Sequence, residues 1–359
     1  MRTRVLVPLA AVTLVTVFGL WTQAAAQAPS GTKSFEPATT STDAAIRAAT
    51  EAAKAAAAAA NWTPPRTSWG DPDLQGYYLN LSYTPLERPA NVAGKALYTE
   101  QEAIAAFRKA VEADAEVDPR VVHYDWKEYG MDAWQSPVRP NRRTALIVDP
   151  PDGRIPPMTP EGQKRLAAAR RESADVLSRG LYERCVTGNQ GPPRLPLNHD
   201  SESQIVQTPG YVVLVMQSNS DVRIIPLDGR PHLPQSVGQW LGDARGHWEG
   251  NTLVIDTTNF DDKRDWRGSN RGMHLVERLT RVDPKTLKYE FTVSDPTTWT
   301  KPWSVEVPWP RIEPPLYEFA CHEQNYGLIN VVKGAQIRAR EAAAQRGGQP
   351  VRETPEADR

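Results

Sequence analysis

The sequence has few cysteines, almost no net charge and, after its first residues, no long apolar run. Its 42 basic and 43 acidic residues give a formal net charge of −1. This balance argues against nucleic acid or a strongly anionic membrane surface as the main partner. No stretch beyond the N-terminal segment is apolar for long enough to predict a membrane-spanning helix. These absences favour a small-molecule ligand or substrate as the partner.

Familiar catalytic and cofactor-binding motifs are also missing. No Gly-x-Ser-x-Gly sequence predicts a serine-hydrolase nucleophile, and no glycine-rich loop predicts phosphate binding. None of the six histidines has the spacing of a zinc protease or a zinc finger. The nearest metal-like clusters, residues 199–202 and His322-Glu323, are weak, so we expect no metal and no cofactor.

The N-terminus has the pattern of a signal peptide. Arg2 and Arg4 precede an apolar run, and small residues close it. We predict a signal peptide over residues 1–28 and a periplasmic or secreted location, the alternative being a retained membrane anchor. In an exported chain, Cys185 and Cys321 are expected to form one disulfide rather than remain two buried thiols.

Composition divides the chain into a signal peptide, an Ala-rich spacer, a Pro-rich region with one or two helices, a β-rich domain and a polar tail. Alanine buries little apolar area, so the spacer has little reason to dock. The tail is expected to be frayed. The five segments, in that order, are residues 1–28, 29–60, 61–199, 200–335 and 336–359.

Two helices and one short strand are predicted in the Pro-rich region. Thr99 and Glu102 form a capping box that starts an amphipathic helix. Thr159 is expected to cap a second helix over residues 160–179, which begins with proline and is followed by glycine. A short strand is expected at residues 76–81, in an extended segment that wraps over the rest of the protein.

From residue 204 onwards, short runs rich in β-branched and aromatic residues follow one another. Turn formers separate several runs, and no helix-length segment intervenes. Such a meander closes most economically as an antiparallel barrel or a two-layer sandwich, and we expect a mainly β fold with an antiparallel barrel-like domain. The nine predicted strands are residues 204–208, 211–217, 221–227, 245–249, 252–258, 274–282, 287–293, 303–308 and 316–321.

The charged residues of the predicted strand 274–282 lie on both of its faces. Alternation puts His274 and Arg278 on one face and Glu277, between two leucines, on the other. One face is expected to be solvated, and the other to line a core or a partly polar lumen.

Residues 239–260, QWLGDARGHWEGNTLVIDTTNF, predict a hairpin that turns at Glu249-Gly250-Asn251. Asp243 and Arg245 are expected to form a salt bridge that pins the preceding loop, or to line a binding pocket. Trp248 is expected to face the core or a lumen.

The candidate site residues are scattered polar and aromatic groups rather than a motif. His232 lies in a loop, where functional side chains tend to gather, and His322 and Glu323 follow the last predicted strand. A histidine can move a proton near neutral pH, arginines can steady negative charge and tryptophans can stack on a ring. The predicted catalytic residues are His232, His322 and Glu323, and the predicted substrate-binding residues are Arg223, Asp243, Arg245, Trp240 and Trp248.

Several long segments resemble an uncharacterised family of secreted proteins from soil and aquatic bacteria. The resemblance covers most of the mature chain and implies a shared fold, without implying an activity. The β half is also similar to lipocalins in strand count, which implies a calycin-like barrel. The segments are WGDPDLQG (69–76), QTPGYVVLV (207–215), DVRIIPLDGRPH (221–232), WLGDARGHWEGNTLVIDTTNF (240–260), DPTTWTKPW (295–303) and YEFACHEQNYG (317–327).

These features predict an exported protein that acts on a small organic molecule of the glycoside or aromatic type. The expected reaction is cofactor-free acid/base chemistry of the lyase or hydrolase kind, such as elimination, hydration or hydrolysis. The alternatives are a non-catalytic periplasmic binding protein and a cell-envelope interaction module. An enzyme needs a pocket in which acid/base groups converge, whereas a carrier needs a mainly apolar and aromatic pocket.

Overall fold

Alternating apolar and polar residues produce most of the strands in the computed structural model, which is mainly β. In the strand Thr286–Ser294, the side chains of Leu287, Tyr289, Phe291 and Val293 are buried, while those between them are partly exposed. Successive side chains of a strand point to opposite faces, so this alternation gives the strand one core face and one solvent face. The structure describes residues 47–51, 53–54, 62–115, 138–169, 174–188, 191–197, 200–313, 316–323 and 325–345.

The described strands form one antiparallel sheet. Their bounds are β1 (Gly76–Leu79), β2 (Ile147–Asp149), β3 (Glu202–Thr208), β4 (Tyr211–Met216), β5 (Val222–Pro226), β6 (Asp243–Glu249), β7 (Thr252–Thr258), β8 (His274–Asp283), β9 (Thr286–Ser294) and β10 (Trp303–Ile312). The order across the sheet is β5-β4-β3-β1-β10-β9-β8-β7-β6, and β2 also pairs with β10.

The strand β1 joins the two halves of the sheet. β3 to β5 form one meander and β6 to β10 form another, and β1 lies between them, with Tyr77 opposite both Gln204 of β3 and Ile312 of β10. The predicted short strand at Gly76 is therefore confirmed. Its place is the middle of the sheet, rather than a segment that wraps over it.

The two outermost strands, β5 and β6, approach each other. A Cβ atom on Gly246 of β6 would lie 2.8 Å from Ile225 and 2.7 Å from Leu227, so only glycine allows this approach. No hydrogen-bonded ladder joins β5 to β6 in the described part of the chain, and the sheet is not closed. The mainly β, antiparallel fold is thus confirmed, whereas closure into a barrel stays a prediction.

Large aromatic side chains pack in the hydrophobic core. Tyr289 stacks on Trp309 at 4.4 Å between ring centroids, and Trp303 stacks on Trp266 at 5.7 Å. Burying each such side chain stabilises the fold by about 1.5–3 kcal/mol. This packed core fixes the strands that carry the polar groups described below.

Residues 47–51 and 53–54 of the Ala-rich spacer are helical, and Ala49 packs against a buried cluster that includes Phe107, so the expectation that the spacer does not dock is wrong at this point. Three further α-helices are described, and the first two of these begin where the sequence predicts. Thr99 and Glu102 make the predicted capping box: the Thr99 amide donates to the Glu102 carboxylate at 2.8 Å, and the Glu102 amide donates to the Thr99 hydroxyl at 3.3 Å. The Thr159 hydroxyl accepts from the Gly162 amide at 3.0 Å. The helices are α1 (Glu100–Ala115), α2 (Pro160–Ala169) and α3 (Tyr326–Gln345).

The predicted second helix is too long. α2 ends at Ala169 in the structure, and a short 3₁₀ turn lies at Val176–Ser178. The Asp175 side chain accepts from the Leu177 amide at 3.2 Å. This local bond competes with continuation of a helix.

The predicted frayed tail is wrong over residues 338–345, which belong to α3. This stretch, RAREAAAQ, consists of strong helix formers but has no large apolar residue, and the buried residues of α3 are Val332 and Ala335, which precede it. Its helical periodicity is therefore weak.

The predicted strand at residues 316–321 is also wrong, because this segment is irregular. Tyr317 is exposed, and its amide donates to the side-chain oxygen of Gln217 at 3.0 Å instead of joining a ladder. The segment ends at the disulfide between Cys185 and Cys321, whose Cα atoms lie 5.7 Å apart. The predicted disulfide is present.

Some sequence predictions fall outside the described residues. They are the signal peptide, most of the Ala-rich spacer and His199 of the weak metal-like cluster. Within the part of the chain that is described, no helix combines the length and the apolar character that a bilayer span requires.

Candidate functional site

A cleft lies beside the gap between β5 and β6. Its volume is about 750 Å³, which is within the range of small-molecule sites. Its walls come from β5, the first half of β6 and the loop before β6. The lining residues are Tyr211, Val222, Arg223, Ile224, Pro226, Arg230, Gly238, Gln239, Trp240, Leu241, Gly242, Asp243, Ala244, Arg245 and Asp261.

The cleft brings together four of the residues that the sequence analysis selects. Arg223 comes from β5, Trp240 from the loop, and Asp243 and Arg245 from β6. β5 and β6 are at opposite ends of the strand order. Their convergence therefore comes from curvature of the sheet.

The other predicted residues lie elsewhere. Trp248 is partly buried and packs against the core, as its strand position predicts. His322 and Glu323 are exposed, follow the disulfide and do not line the cleft. The catalytic roles assigned to these two residues stay predictions, and the cleft gives them no support. His232 does not line the cleft but bonds Asp243, which does.

Asp243 anchors the loop that precedes β6. Its carboxylate accepts from the Leu233 amide at 3.0 Å and from Arg245 at 2.6 Å, and it lies 2.9 Å from Nδ1 of His232. Arg245 also donates to the carbonyl of Pro231 at 3.1 Å. The predicted salt bridge between Asp243 and Arg245 is therefore present, and it holds the loop against β6.

The contacts of His232 continue outwards to β7 and β8. Its Nε2 lies 2.9 Å from one oxygen of Asp256, and the other oxygen lies 2.7 Å from Nε2 of His274. We call His274, Asp256, His232, Asp243 and Arg245 the rim chain. Side-chain exposure rises along it from 6% at Asp243 to 48% at His274, so the chain connects the cleft with solvent.

The pKa values of the rim chain reflect these bonds. Burial opposes ionisation of Asp243, but bonds from the Leu233 amide, His232 and Arg245 outweigh it and lower its pKa. The hydrogen bond from His274 lowers the pKa of Asp256, and the same bond raises the pKa of His274. The chain therefore favours ionised carboxylates beside a protonated His274.

The floor of the cleft contains a buried ion pair. Arg223 donates to both oxygens of Glu277, at 3.0 and 2.6 Å, and to the Thr257 hydroxyl at 3.2 Å. The Tyr289 hydroxyl donates to Glu277 at 2.7 Å and accepts from the Arg194 amide at 3.0 Å. Glu277 thus has three bonds from buried groups.

Three arginine side chains are buried in this part of the interior. Arg194, Arg223 and Arg264 are 1%, 4% and 5% exposed. We call these three arginines, together with Glu277 and Tyr289, the interior cluster. Burial lowers the pKa of Arg264 to about 9, and repulsion from Arg223 adds to this effect. Burial also lowers the pKa of Arg194, to about 10, and repulsion from Arg223 acts in the same direction. Burial also raises the pKa of Tyr289 well above its ordinary value.

One wall of the cleft is apolar and exposed. Val222 and Ile224 are 47% and 63% exposed on β5, and Tyr211 is 38% exposed beside them. Trp240 and Leu241 also belong to the lining. Exposed apolar groups that line a cleft mark a binding surface more often than isolated ones do.

Sequence reasoning does not select Asp256, His274 or Glu277 as site residues. The signal for Glu277 is its position between two leucines on one strand face, which indicates a buried charge. Asp256 and His274 give no such signal, because their partnership arises only when β7 pairs with β8.

Among the described residues, no group of three or more His, Cys, Asp or Glu side chains is arranged to hold a metal ion. The rim chain is instead a row of pairwise hydrogen bonds. Comparisons of the chain with protein-family models, with curated proteins and with solved structures found no match.

Proposed function

We propose that this protein is exported and binds a small organic molecule, of the aromatic or glycoside type, in the cleft between β5 and β6. The observation that carries the proposal is the lining itself. The ring of Trp240 and the exposed side chains of Tyr211, Val222 and Ile224 offer flat apolar surface in a cleft of about 750 Å³. Such a lining suits a ring-containing ligand.

The ionisable groups of the lining favour binding over catalysis. Asp243 is bonded to Arg245 and His232, Arg223 is bonded to Glu277, and Arg230 is bonded to Asp228. A general base needs a lone pair within reach of substrate. These paired groups orient a ligand without supplying such a base. Asp261 is the lining carboxylate outside these pairs, and its Oδ1 accepts from the Lys263 amide at 2.8 Å.

The test is a calorimetric binding screen of the mature protein against phenolics, aromatic acids and glycosides. A ligand that binds only the folded state also raises the melting temperature. Trp240→Ala is expected to weaken binding of any hit by at least about tenfold, because it removes the stacking surface. Trp69→Ala is the control, since Trp69 is an exposed tryptophan that does not line the cleft.

A hit whose affinity is unchanged by Trp240→Ala contradicts the assignment of the cleft. The absence of any hit contradicts the proposal as a whole. That result favours the cell-envelope interaction module, because the apolar surface of Val222 and Ile224 then needs another occupant.

A second candidate function is acid/base turnover of the same ligand, and the rim chain is the observation that favours it. Both ring nitrogens of His232 face carboxylate oxygens, and His274 connects the row to solvent. Such a row can carry a proton between the cleft rim and water, which elimination, hydration or hydrolysis requires.

Product formation from a confirmed ligand tests this candidate. Asp256→Asn is expected to lower turnover by about 10²–10⁴-fold while leaving binding unchanged, because Asp256 does not line the cleft. Glu249→Gln is the control, since Glu249 pairs with His247 on the same sheet outside the rim chain. Equal rates in the two variants exclude the rim chain from the reaction.

Two structural proposals accompany the function. We infer a periplasmic or secreted location, which the disulfide between Cys185 and Cys321 supports because such bonds persist in oxidising compartments. We also infer a calycin-like barrel, supported by the close approach of Gly246 to Ile225 across the open gap. Fractionation of cells tests the location. A crystal structure with water-filled space between β5 and β6 would contradict the barrel.

A further inference from the structure

The interior cluster has a composition that packing alone does not explain. Two buried arginines, Arg223 and Arg264, accompany one buried glutamate, Glu277, which pairs with Arg223. Water cannot solvate charges at this depth, so each unmatched cation is costly. A core built only for stability would hold apolar side chains at these positions.

Arg264 is the clearest unmatched charge. It is 5% exposed, and no salt bridge to it is present among the described residues. Its Nη2 donates to the carbonyls of Gly191 and Pro192, and its guanidinium lies 4.6 Å from the ring centroid of Phe260. Its Nη1 is buried and has no hydrogen-bond partner in the described structure.

Arg223 connects this charge with the cleft. It is 4% exposed, lines the cleft floor, and has a buried Nε without a hydrogen-bond partner among the described residues. Its Nη1 and Nη2 are occupied by Glu277 and Thr257. Repulsion from Arg223 contributes, after burial, to the lowered pKa of Arg264. An acceptor at the floor therefore meets a free donor and a positive field.

The other lining arginines are already paired. Arg230 pairs with Asp228, and Arg245 pairs with Asp243. Arg223 is the lining arginine whose buried Nε has no hydrogen-bond partner among the described residues, so it is the donor that a ligand at the floor can use.

We propose that the inner end of the cleft is an oxyanion subsite, in which Arg223 contacts and Arg264 electrostatically supports the carboxylate, sulfate or phosphate group of the ligand. This inference rests on the proposed function and narrows its ligand to an organic anion. The ring lies against Trp240 and Tyr211, and the anionic group points towards Arg223. Binding then brings a counter-charge towards Arg264, which has no salt bridge among the described residues.

The test compares matched probes by calorimetry: benzoate, its neutral analogue benzyl alcohol, and inorganic sulfate and phosphate. Wild-type protein is expected to bind benzoate at least about tenfold more tightly than benzyl alcohol. Sulfate and phosphate are expected to bind more weakly than benzoate and to compete with it. An inorganic anion that binds as tightly as benzoate identifies a free oxyanion as the ligand.

Arg264→Met separates a ligand-binding role from a structural one. Methionine replaces a buried cation with an apolar group, so the melting temperature without added oxyanion is expected to stay equal or rise. The preference for benzoate over benzyl alcohol is expected to disappear. Arg264→Lys keeps the charge and is expected to retain a reduced preference. Arg271→Met is the control, because it changes the net charge equally at an exposed site.

The outcomes distinguish failure of this inference from failure of the proposed function. If benzoate and benzyl alcohol bind equally and both need Trp240, the oxyanion subsite is wrong and the cleft function stands. If sulfate binds in an Arg264-dependent manner but no ring compound does, the proposed ligand class is wrong and the subsite stands. A benzoate preference that persists in Arg264→Met, or a large drop in melting temperature there without change in preference, overturns the inference.

Discussion

The interior cluster and the rim chain contain the same kinds of ion pair but differ in their access to water. Arg223 and Glu277 have side chains that are 2% and 0% exposed, whereas Asp256 and His274 are 36% and 48% exposed. Both pairs have short hydrogen bonds of 2.6 and 2.7 Å. Two ion pairs with nearly the same hydrogen-bond length therefore lie in surroundings that differ greatly in their access to water.

This difference decides what each pair contributes. A buried charge that loses its partner cannot be solvated, so breaking the pair is strongly destabilising even where forming it gained little. An exposed pair is replaced by water at small cost. Loss of Glu277 from the interior cluster is therefore expected to be strongly destabilising, while the exposed end of the rim chain, Asp256 and His274, is expected to affect stability little and to respond to pH.

The largest effect is expected for Glu277→Gln. The substitution keeps the shape but leaves Arg223 without its counterion beside Arg194 and Arg264. We expect the free energy of unfolding to fall by about 3–5 kcal/mol, measured by chemical denaturation.

Glu306→Gln is the control for that measurement. Glu306 accepts two bonds from Arg143, at 2.6 and 2.8 Å, but both side chains are partly exposed. Its loss is expected to cost about 1 kcal/mol or less. Equal losses of unfolding free energy in the two variants would contradict the expected difference between a buried and a partly exposed ion pair.

The second effect is expected for Asp243→Asn, at the buried end of the rim chain. The amide side chain lacks the charge that attracts Arg245 and His232. It also has only one oxygen, where the carboxylate has two oxygens that accept from three donors. We expect unfolding free energy to fall by about 1–3 kcal/mol. Hydrogen exchange of the loop amides, including Leu233, is expected to rise. Unchanged exchange there means that other contacts hold the loop.

A smaller effect is expected for Tyr289→Phe. The ring and its stacking on Trp309 remain, while the hydroxyl bonds to Glu277 and to the Arg194 amide are lost. We expect a loss of about 1–2 kcal/mol in unfolding free energy. Tyr211→Phe is the control, because Tyr211 is exposed, and it is expected to have almost no effect.

The sequence predicts the sheet better than it predicts the arrangement of its strands. Alternation within β9 is local, so its buried face can be read directly. The position of β1 depends on pairing with Ile312 of β10, far along the chain, which local alternation does not encode. Residues 316–321 show the opposite error. Their apolar pattern predicts a strand, but the disulfide at Cys321 and the exposure of Tyr317 produce an irregular segment.

The same distinction applies to the candidate site. The salt bridge of Asp243 and Arg245 is predictable, because residues two apart on a strand share a face. The contact of Arg223 with Glu277 requires the ends of the strand order to converge, and the contact of His232 with Asp256 requires a loop to fold onto β7. Such partnerships arise from tertiary structure, so residue type alone identifies only one member of each.

The smallest effect is expected at the exposed end of the rim chain, and it depends on pH. The hydrogen bond to Asp256 raises the pKa of His274 above its ordinary value of 6.5. A raised pKa in the folded state means that the stabilisation is complete below pH 6.5 and is lost as the pH rises through the folded-state pKa. Because both side chains are more than a third exposed, screening limits the effect to less than about 1 kcal/mol.

His274→Gln therefore tests the rim chain through the shape of a pH profile. The variant is expected to be less stable than wild type near pH 5.5 and equally stable near pH 9, so that the two curves of unfolding free energy converge as His274 loses its proton. His247→Gln is the control, because His247 pairs with Glu249 and both are about half exposed. A constant difference between His274→Gln and wild type across this range indicates lost packing rather than a lost ion pair. That result contradicts the electrostatic account of the rim chain while leaving the interior cluster untouched.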